Sequence, residues 1–376
     1  MVTTVPHPRC CTILLNHTSA SYHVSDFSLP ASYMMVKGKK AHGGVGGDFT
    51  VGHYSTARMK HDMETVGGSV FHYSTMWDGL HYGYSAGKGA AYDCLEVMGM
   101  ECSFELWDVR HAMEVADMKE RIQRSRPDVA IEREIHSAAF GNTKDDAIGD
   151  VRSFMEKYMS RGSIVGIGVD DHDYFVERVK STRLGSFAGP SDAASKLEYF
   201  GGTSTTTFDT PYSHVAVAYD GTKSTPAMNS MLESSISVAL KDSLSSESSG
   251  ADRGEVSKSM VSFNANALVG LNCTVPSDSL PFVAGIIKST LEKVKSGSFN
   301  VDRARSVAKA RVAREIECGS LGASAYAVSL DNRLLKDKLG DIDKVSEEDL
   351  KGAGDIAVAV VGGGKGADWV KGGILG

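Results

Sequence analysis

Apolar positions along the chain recur in two rhythms, every second residue in short runs and every third or fourth in longer ones, so strands and helices are interspersed. In the first half the pattern predicts a strand SYMMVKG (32–38), a glycine-rich stretch HGGVGGDFTVGH (42–53) and a helix ARMKHDMETVGG (57–68). A hairpin over 70–86 follows, turning at Asp78-Gly79, and then a helix over 89–103. A helical region over 107–140 is interrupted at Pro127, where the ring removes a backbone donor, before a helix over 148–160 and a strand SIVGIGV (163–169).

The second half gives a strand SHVAVAY (213–219), a helix over 225–244, paired strands over 260–275 and a helix over 280–297. A long helix over 301–332, a short one over 346–353 and a strand IAVAVVGGG (356–364) complete it. The order repeats that of the first half at an offset of about 180 to 195 residues, too long for a solenoid unit and suited to a duplicated domain. The expected class is α+β, in two similar domains, each an antiparallel-rich mixed sheet covered by helices. The division is 10–183 and 198–376, with a linker at 184–197 where Gly, Pro and Ser collect.

Composition adds little to this picture and removes several function classes. With 376 residues, 41% hydrophobic and 23% charged, the chain can bury two ordinary cores. A net charge of −7 disfavours nucleic acid as main partner, because phosphates must be met by surplus Lys and Arg. No apolar run approaches the roughly 20 residues that cross a bilayer. The six cysteines show no C-x-x-C spacing, so neither a zinc ribbon nor a disulfide scaffold is indicated. The first 25 residues, with one Arg and no acid, only weakly suggest a transit peptide. Glycosylation sequons stand at Asn16 and Asn272.

Candidate chemistry is sparse. Gly44 and Gly46 are followed by Phe49 where a dinucleotide loop needs its third glycine, and Lys365 after Gly364 is followed by Gly366 instead of the Ser or Thr of a Walker loop. No two of the 12 histidines are four apart, which removes every helical two-histidine zinc motif. His72 with His81, or His111 with His136, could meet in space, but isolated histidines usually serve packing. The acids Glu114, Asp117, Glu120, Glu132 and Glu134, with Arg133, read as a solvated helix face. No G-x-S-x-G or catalytic cysteine signature occurs, which leaves a convergent serine triad or a carboxylate pair open; the expectation that catalytic, cofactor and metal residues are all absent comes from the resemblance that follows.

Several strings in order resemble one family. METVGG (63–68) matches an I-E-x-V-G-G helix end. IEREIHSAAFGN (131–142) matches E-x-L-H-x-A-A-Y-x-N, with His136 and Phe140 in place. IVGIGVDDHD (164–173), GGTSTTTFDTPYSHVAVAY (201–219) and VSFNANALVGL (261–271) continue the series. The chain resembles the two-domain processing-peptidase-like proteins of the pitrilysin superfamily, over nearly its whole length.

In active members a helix carries H-x-x-E-H, whose histidines bind zinc and whose glutamate is the general base. Here the corresponding segment is shortened. With His42 in the first position, Val45 and Gly46 replace the base and second ligand; with Phe49 there, Gly52 and His53 stand in those places. Either way the base and at least one ligand are lost, and Glu120 near the third-ligand position cannot hold zinc alone.

The resemblance then implies one of the family's non-catalytic subunits. One kind supports respiratory complex III from the matrix side of the mitochondrial inner membrane. It pairs with a core protein 1 or β-processing-peptidase-like chain beneath cytochrome b, cytochrome c1 and the Rieske protein, and itself carries no cofactor. The other is the α-type, substrate-handling subunit of a mitochondrial processing peptidase, whose glycine-rich loop has as counterpart here the Ser-rich 243–259, with only two glycines.

Overall fold

A computed structural model gives the fold. It describes residues 2–5, 11–18, 39–40, 61, 64–65, 70–76, 79–86, 92, 95, 101–102, 110, 113–118, 121–122, 125–141, 163–182, 199–221, 224–246, 260–265, 268–318, 335–351 and 356–362. The chain forms two compact units. The first comprises Met1–Lys119, Lys144–Lys196 and Gly319–Leu334, and the second Glu120–Thr143, Leu197–Cys318 and Leu335–Gly376.

The first unit holds a five-stranded mixed sheet. Its strands are β1 (Val2–Val5), β2 (Cys11–Thr18), β4 (Val70–Met76), β5 (Gly79–Ala86) and β7 (Ser163–Ile167), in the order β1-β7-β2-β5-β4. Only β1 and β7 run parallel; the other pairs are antiparallel. A two-stranded ladder joins β3 (Lys39–Lys40) to β6 (Glu101–Cys102). The β4–β5 register sets Met76 opposite Gly79, so the predicted hairpin forms.

The second unit's sheet has β8 (Gly202–Thr207), β9 (Tyr212–Asp220), β10 (Val261–Ala265), β11 (Leu268–Pro276) and β12 (Ile356–Gly362), in the order β10-β11-β9-β12-β8. Taken in chain order, β8, β9, β10, β11 and β12 occupy the positions that β1, β2, β4, β5 and β7 occupy in the first sheet. The one parallel pair is again the first strand with the last, β8 with β12. The antiparallel pairs correspond one to one as well.

Helices of the second unit cover its sheet on both faces. On one side lies α1 (Pro127–Phe140), which contacts β12, β8 and β9. On the other, α3 (Pro226–Ser246) meets β10 and β11, and packs against α4 (Leu280–Ser296), α5 (Val301–Cys318) and α6 (Leu335–Ile342). The short α7 (Glu347–Lys351) touches α3 and α4. Such double covering explains why β9 and β12 read as continuous apolar runs: both strands are buried on both faces.

The residue types alternate with the covering. Val215, Val217, Tyr219, Val358 and Val360 join the main core with Met231, Ile236, Ile286 and Val312 of the helices. Each fully buried Val, Leu or Ile there contributes about 1.5 to 3 kcal/mol by leaving water. The intervening Ala216, Ala218, Ala357 and Ala359 are equally buried and stand on the α1 side, paired Ala216 with Ala359 and Ala218 with Ala357. Their small side chains let the α1 backbone come close to the sheet.

Local chemistry fixes the helix ends. Pro127 starts α1 instead of interrupting a longer helix, since the first turn needs no donor from it. α4 stops at Gly297, φ 72°, where Ser298 N donates to Lys293 O at 2.9 Å in a left-handed cap. α2 (His172–Ser181), in the first unit, begins at Asp171, whose carboxylate accepts from Tyr174 N at 3.0 Å. Asp171→Ala is expected to cost about 1 kcal/mol of first-unit stability, read as faster amide exchange in α2.

Several expectations change. The contiguous division into 10–183 and 198–376 gives way to interleaved units: Glu120–Thr143 joins the second, because α1 covers its alanine-lined sheet face. A first domain starting at residue 10 also omits β1, which closes the first sheet against β7. The predicted strand 32–38 lies outside the described residues, and β2 fills the central position of that sheet. The helix predicted over 301–332 is described only to Cys318. Neither α2 nor the Thr-rich edge strand β8 was anticipated.

Candidate functional site

The glycine-rich 42–53, with His42 and His53, lies outside the described residues, as do His111 and Glu120. Of the remaining candidates, Glu114 and Asp117 are exposed on a helical stretch. His72 pairs opposite Gly83 and His81 opposite Ser74, so the two positions are offset by two residues along the ladder. Glu132, Arg133, Glu134 and His136 are brought together on α1, over the second sheet, and this junction is the densest group of candidate side chains.

α1 is amphipathic in the required sense: Ile131, Ile135, His136, Ala138, Ala139 and Phe140 are buried, while Glu132 and Arg133 are exposed. Glu134 reaches down to the edge strand and accepts a short hydrogen bond from Ser204 Oγ. The last turn is held from beyond the linker, where Phe200 N donates to Ala139 O at 2.8 Å and Gly201 N to the same oxygen at 3.4 Å. Phe140 meets Tyr199 edge to face, centroids 5.8 Å apart, and Tyr199 Oη donates to Ala218 O at 3.1 Å. Gly202 has φ 122°, a backbone suited to glycine, and carries the chain into β8 beneath Ala138.

His136 is 3% exposed, and its Nδ1 donates to Glu132 O at 2.7 Å. Burial pushes its pKa down to about 4, so the ring is neutral at ordinary pH. Crowding raises the Glu132 carboxyl, although that side chain still reaches solvent. On β9, His214 shares a 2.8 Å hydrogen bond with Thr274; burial lowers its pKa and the Asp128 carboxylate partly opposes this. Asp128 itself is lowered by its ion pair with Arg126 at 2.5 Å.

These groups join α1 to the sheet through packing and hydrogen bonds. Ser204 donates directly to the Glu134 carboxylate, and among the described residues no imidazole shares a hydrogen bond with it. Among the described residues no three His, Cys, Asp or Glu side chains gather as metal ligands. On the helical side of the sheet, Arg311 of α5 pairs with Glu233 of α3 and donates to Ser262 of β10 at 3.2 Å, tying two helices to the sheet. An open groove of about 500 Å³ between α5 and α6 is lined by Ala310, Ala313, Leu339 and Gly340 and rimmed by the Lys309–Asp343 ion pair.

Neither sequon suits a glycan in the folded chain. Asn272 lies within β11 between Ala216 and Val261, and Asn16 within β2 between His81 and Ser163. Cys273 is buried and its thiol is pushed up to about 12, so it is expected to resist a thiol reagent in the native state and react on unfolding. No described helix is long and apolar enough to cross a membrane. Sequence reasoning missed Ser204, His214, Thr274 and Tyr199 as members of this junction. Only the histidine in SHVAVAY signalled one of them, since strand pairing brings the others in. No model of a known protein family and no curated protein matches the chain.

Proposed function

We propose that the chain is a non-catalytic structural subunit of respiratory complex III, of the kind called core protein 2, built from two homologous peptidase-like domains. The observation that carries the reading is the shared strand order: five strands in each unit, in the same sequence, with the same single parallel pair. A mixed sheet of this topology occurring twice is what a duplicated ancestor leaves, and the strings METVGG, IEREIHSAAFGN and VSFNANALVGL fall in the order the pitrilysin superfamily has them.

The role is that of a scaffold. Peptide hydrolysis by this superfamily needs a zinc-polarised water and a glutamate base, and neither alignment of 42–53 keeps both histidines and the base. The second sheet, packed on both faces, supplies rigidity in place of a cleft. Its partners are a core protein 1 or β-processing-peptidase-like chain, and through it cytochrome b, cytochrome c1 and the Rieske protein, at the matrix side of the inner membrane. Electron transfer stays with those partners, and the chain binds no haem or metal.

Gentle solubilisation of mitochondrial membranes followed by capture of this chain tests the proposal. Cytochromes b and c1 are expected in the captured set, and their absence defeats the complex III assignment. If instead the purified chain stimulates presequence cleavage by a β-type peptidase subunit, it is the α-type, substrate-handling partner.

A further inference from the structure

We propose that β8 is a self-pairing edge: a second copy of this chain adds its own β8 antiparallel to it, about a twofold axis at Thr205, and joins the two second-unit sheets into one. The inference is independent of the complex III reading, since it rests on the main chain of one strand.

Among the described residues β8 ends its sheet, with β12 as its neighbour on one side. Immediately after the strand, Phe208 N donates to Gly362 O of β12 at 3.1 Å. Peptide groups alternate in direction along a strand, so the even-numbered residues of β8 turn their N–H and C=O toward β12, and Thr203, Thr205 and Thr207 turn theirs outward. The side chains alternate as well. Ser204 Oγ donates to Glu134 of α1, while Thr203, Thr205 and Thr207 are exposed on the opposite face.

A row of outward peptide groups is a template for an added strand, and sequences usually guard it with charge or proline. β8, Gly-Thr-Ser-Thr-Thr-Thr, carries neither. Its spacing suits its own copy. An antiparallel pair forms hydrogen bonds where outward residues stand opposite outward residues. With Thr205 on the axis, Thr205 faces Thr205 and Thr203 faces Thr207 in both directions, so every outward N–H meets an outward C=O. Threonine opposite threonine is a favourable cross-strand pair, with no like charge to oppose it.

The flanks agree with this register. An axis normal to the joined sheet keeps both α1 helices on one face, with their β8-side flanks toward each other. Glu134, anchored on Ser204 beside the axis, then faces the exposed Arg133 of the other copy, and symmetry repeats the contact. Extended two residues beyond the strand, the same register carries Phe200 to Thr210 of the other copy, covering a ring that is 62% exposed.

Sedimentation of the purified full chain, loaded from about 5 to about 200 μM, tests the pairing. A reversible monomer–dimer equilibrium is expected. Thr205→Pro removes an outward N–H and no hydrogen bond to β12, so it should leave the chain monomeric with a melting temperature within about two degrees of wild type. The register is read by disulfide formation, located by mass spectrometry of the digest to separate it from the native cysteines. T205C should link to itself under mild oxidation, since facing Cα atoms of a hydrogen-bonded antiparallel pair lie about 5.5 Å apart. T203C should not, because its two copies stand roughly 13 Å apart along the strands. A wild-type chain that stays monomeric throughout, a dimer undiminished in T205P, or T203C linking as readily as T205C overturns the proposal. Should T205P fail to fold, Thr205→Lys, which sets two ammonium groups on the axis, takes its place with the same expected loss of dimer.

Discussion

Gly270→Ala is expected to unfold the second unit at temperatures where the wild-type chain stays folded. Gly270 lies in β11 opposite Ala218 of β9, and a Cβ placed there would stand 1.8 Å from Val217 O and 2.8 Å from Ala218 Cα. Both are backbone atoms of the central strand, so no side chain can rotate away. Relief requires moving β9 from β11, and β9 also carries β12. Ordinary overpacking costs about 1 to 3 kcal/mol; a clash with main chain on a doubly covered sheet belongs at or above the top of that range.

A loss of about 3 to 5 kcal/mol lowers the melting temperature of a unit this size by roughly 10 °C. Thermal scans, with exchange of the α4 amides as the reporter for this unit, give the measurement. A melting temperature within about two degrees of wild type would show that the β9–β11 spacing yields more easily than argued.

Phe175→Ala is expected to do comparable damage to the first unit. Phe175 of α2 is fully buried, and its ring lies against Gly166 of β7, where a Cβ would come within 3.0 Å of two ring carbons. The glycine makes the space and the phenyl fills it. Truncation to alanine leaves a cavity that the strand cannot collapse into, at a cost of about 3 to 5 kcal/mol. Phe175→Leu, which keeps most of the volume, should lose less than half as much. Amide exchange in β7 and α2 should rise in F175A while α4 is unchanged. Equal effects of F175A and F175L would argue against a cavity as the cause.

The elements legible in the sequence were those whose own residues declare a buried face. The β4–β5 hairpin, β7, β9, the β10–β11 pair, β12, α3 and α4 were all expected close to where they lie, because period and apolar content coincide in them. β8 was missed because Gly-Thr-Ser-Thr-Thr-Thr has β-branched residues but no apolar face; as an edge strand, one neighbour suffices to hold it. α2 was missed because its start is marked by the Asp171 cap more than by apolar period.

The junction around α1 shows the same division. Burial of Ile131, Ile135 and Phe140 follows from their spacing, but the acids read as a plain solvated face include Glu134, which is tied to Ser204 some 70 residues further on. Proximity of that kind leaves no local trace. The sequence by itself determined the period of those legible elements and the absence of two histidines four residues apart, since each depends on residue types near one another in the chain. Only the tertiary structure decided that α1 belongs to the second unit, that β1 and β2 build the first sheet, and that His136 is closed off from water. Those outcomes depend on which surface each segment finds, and a helix face or a strand edge does not encode its partner's address.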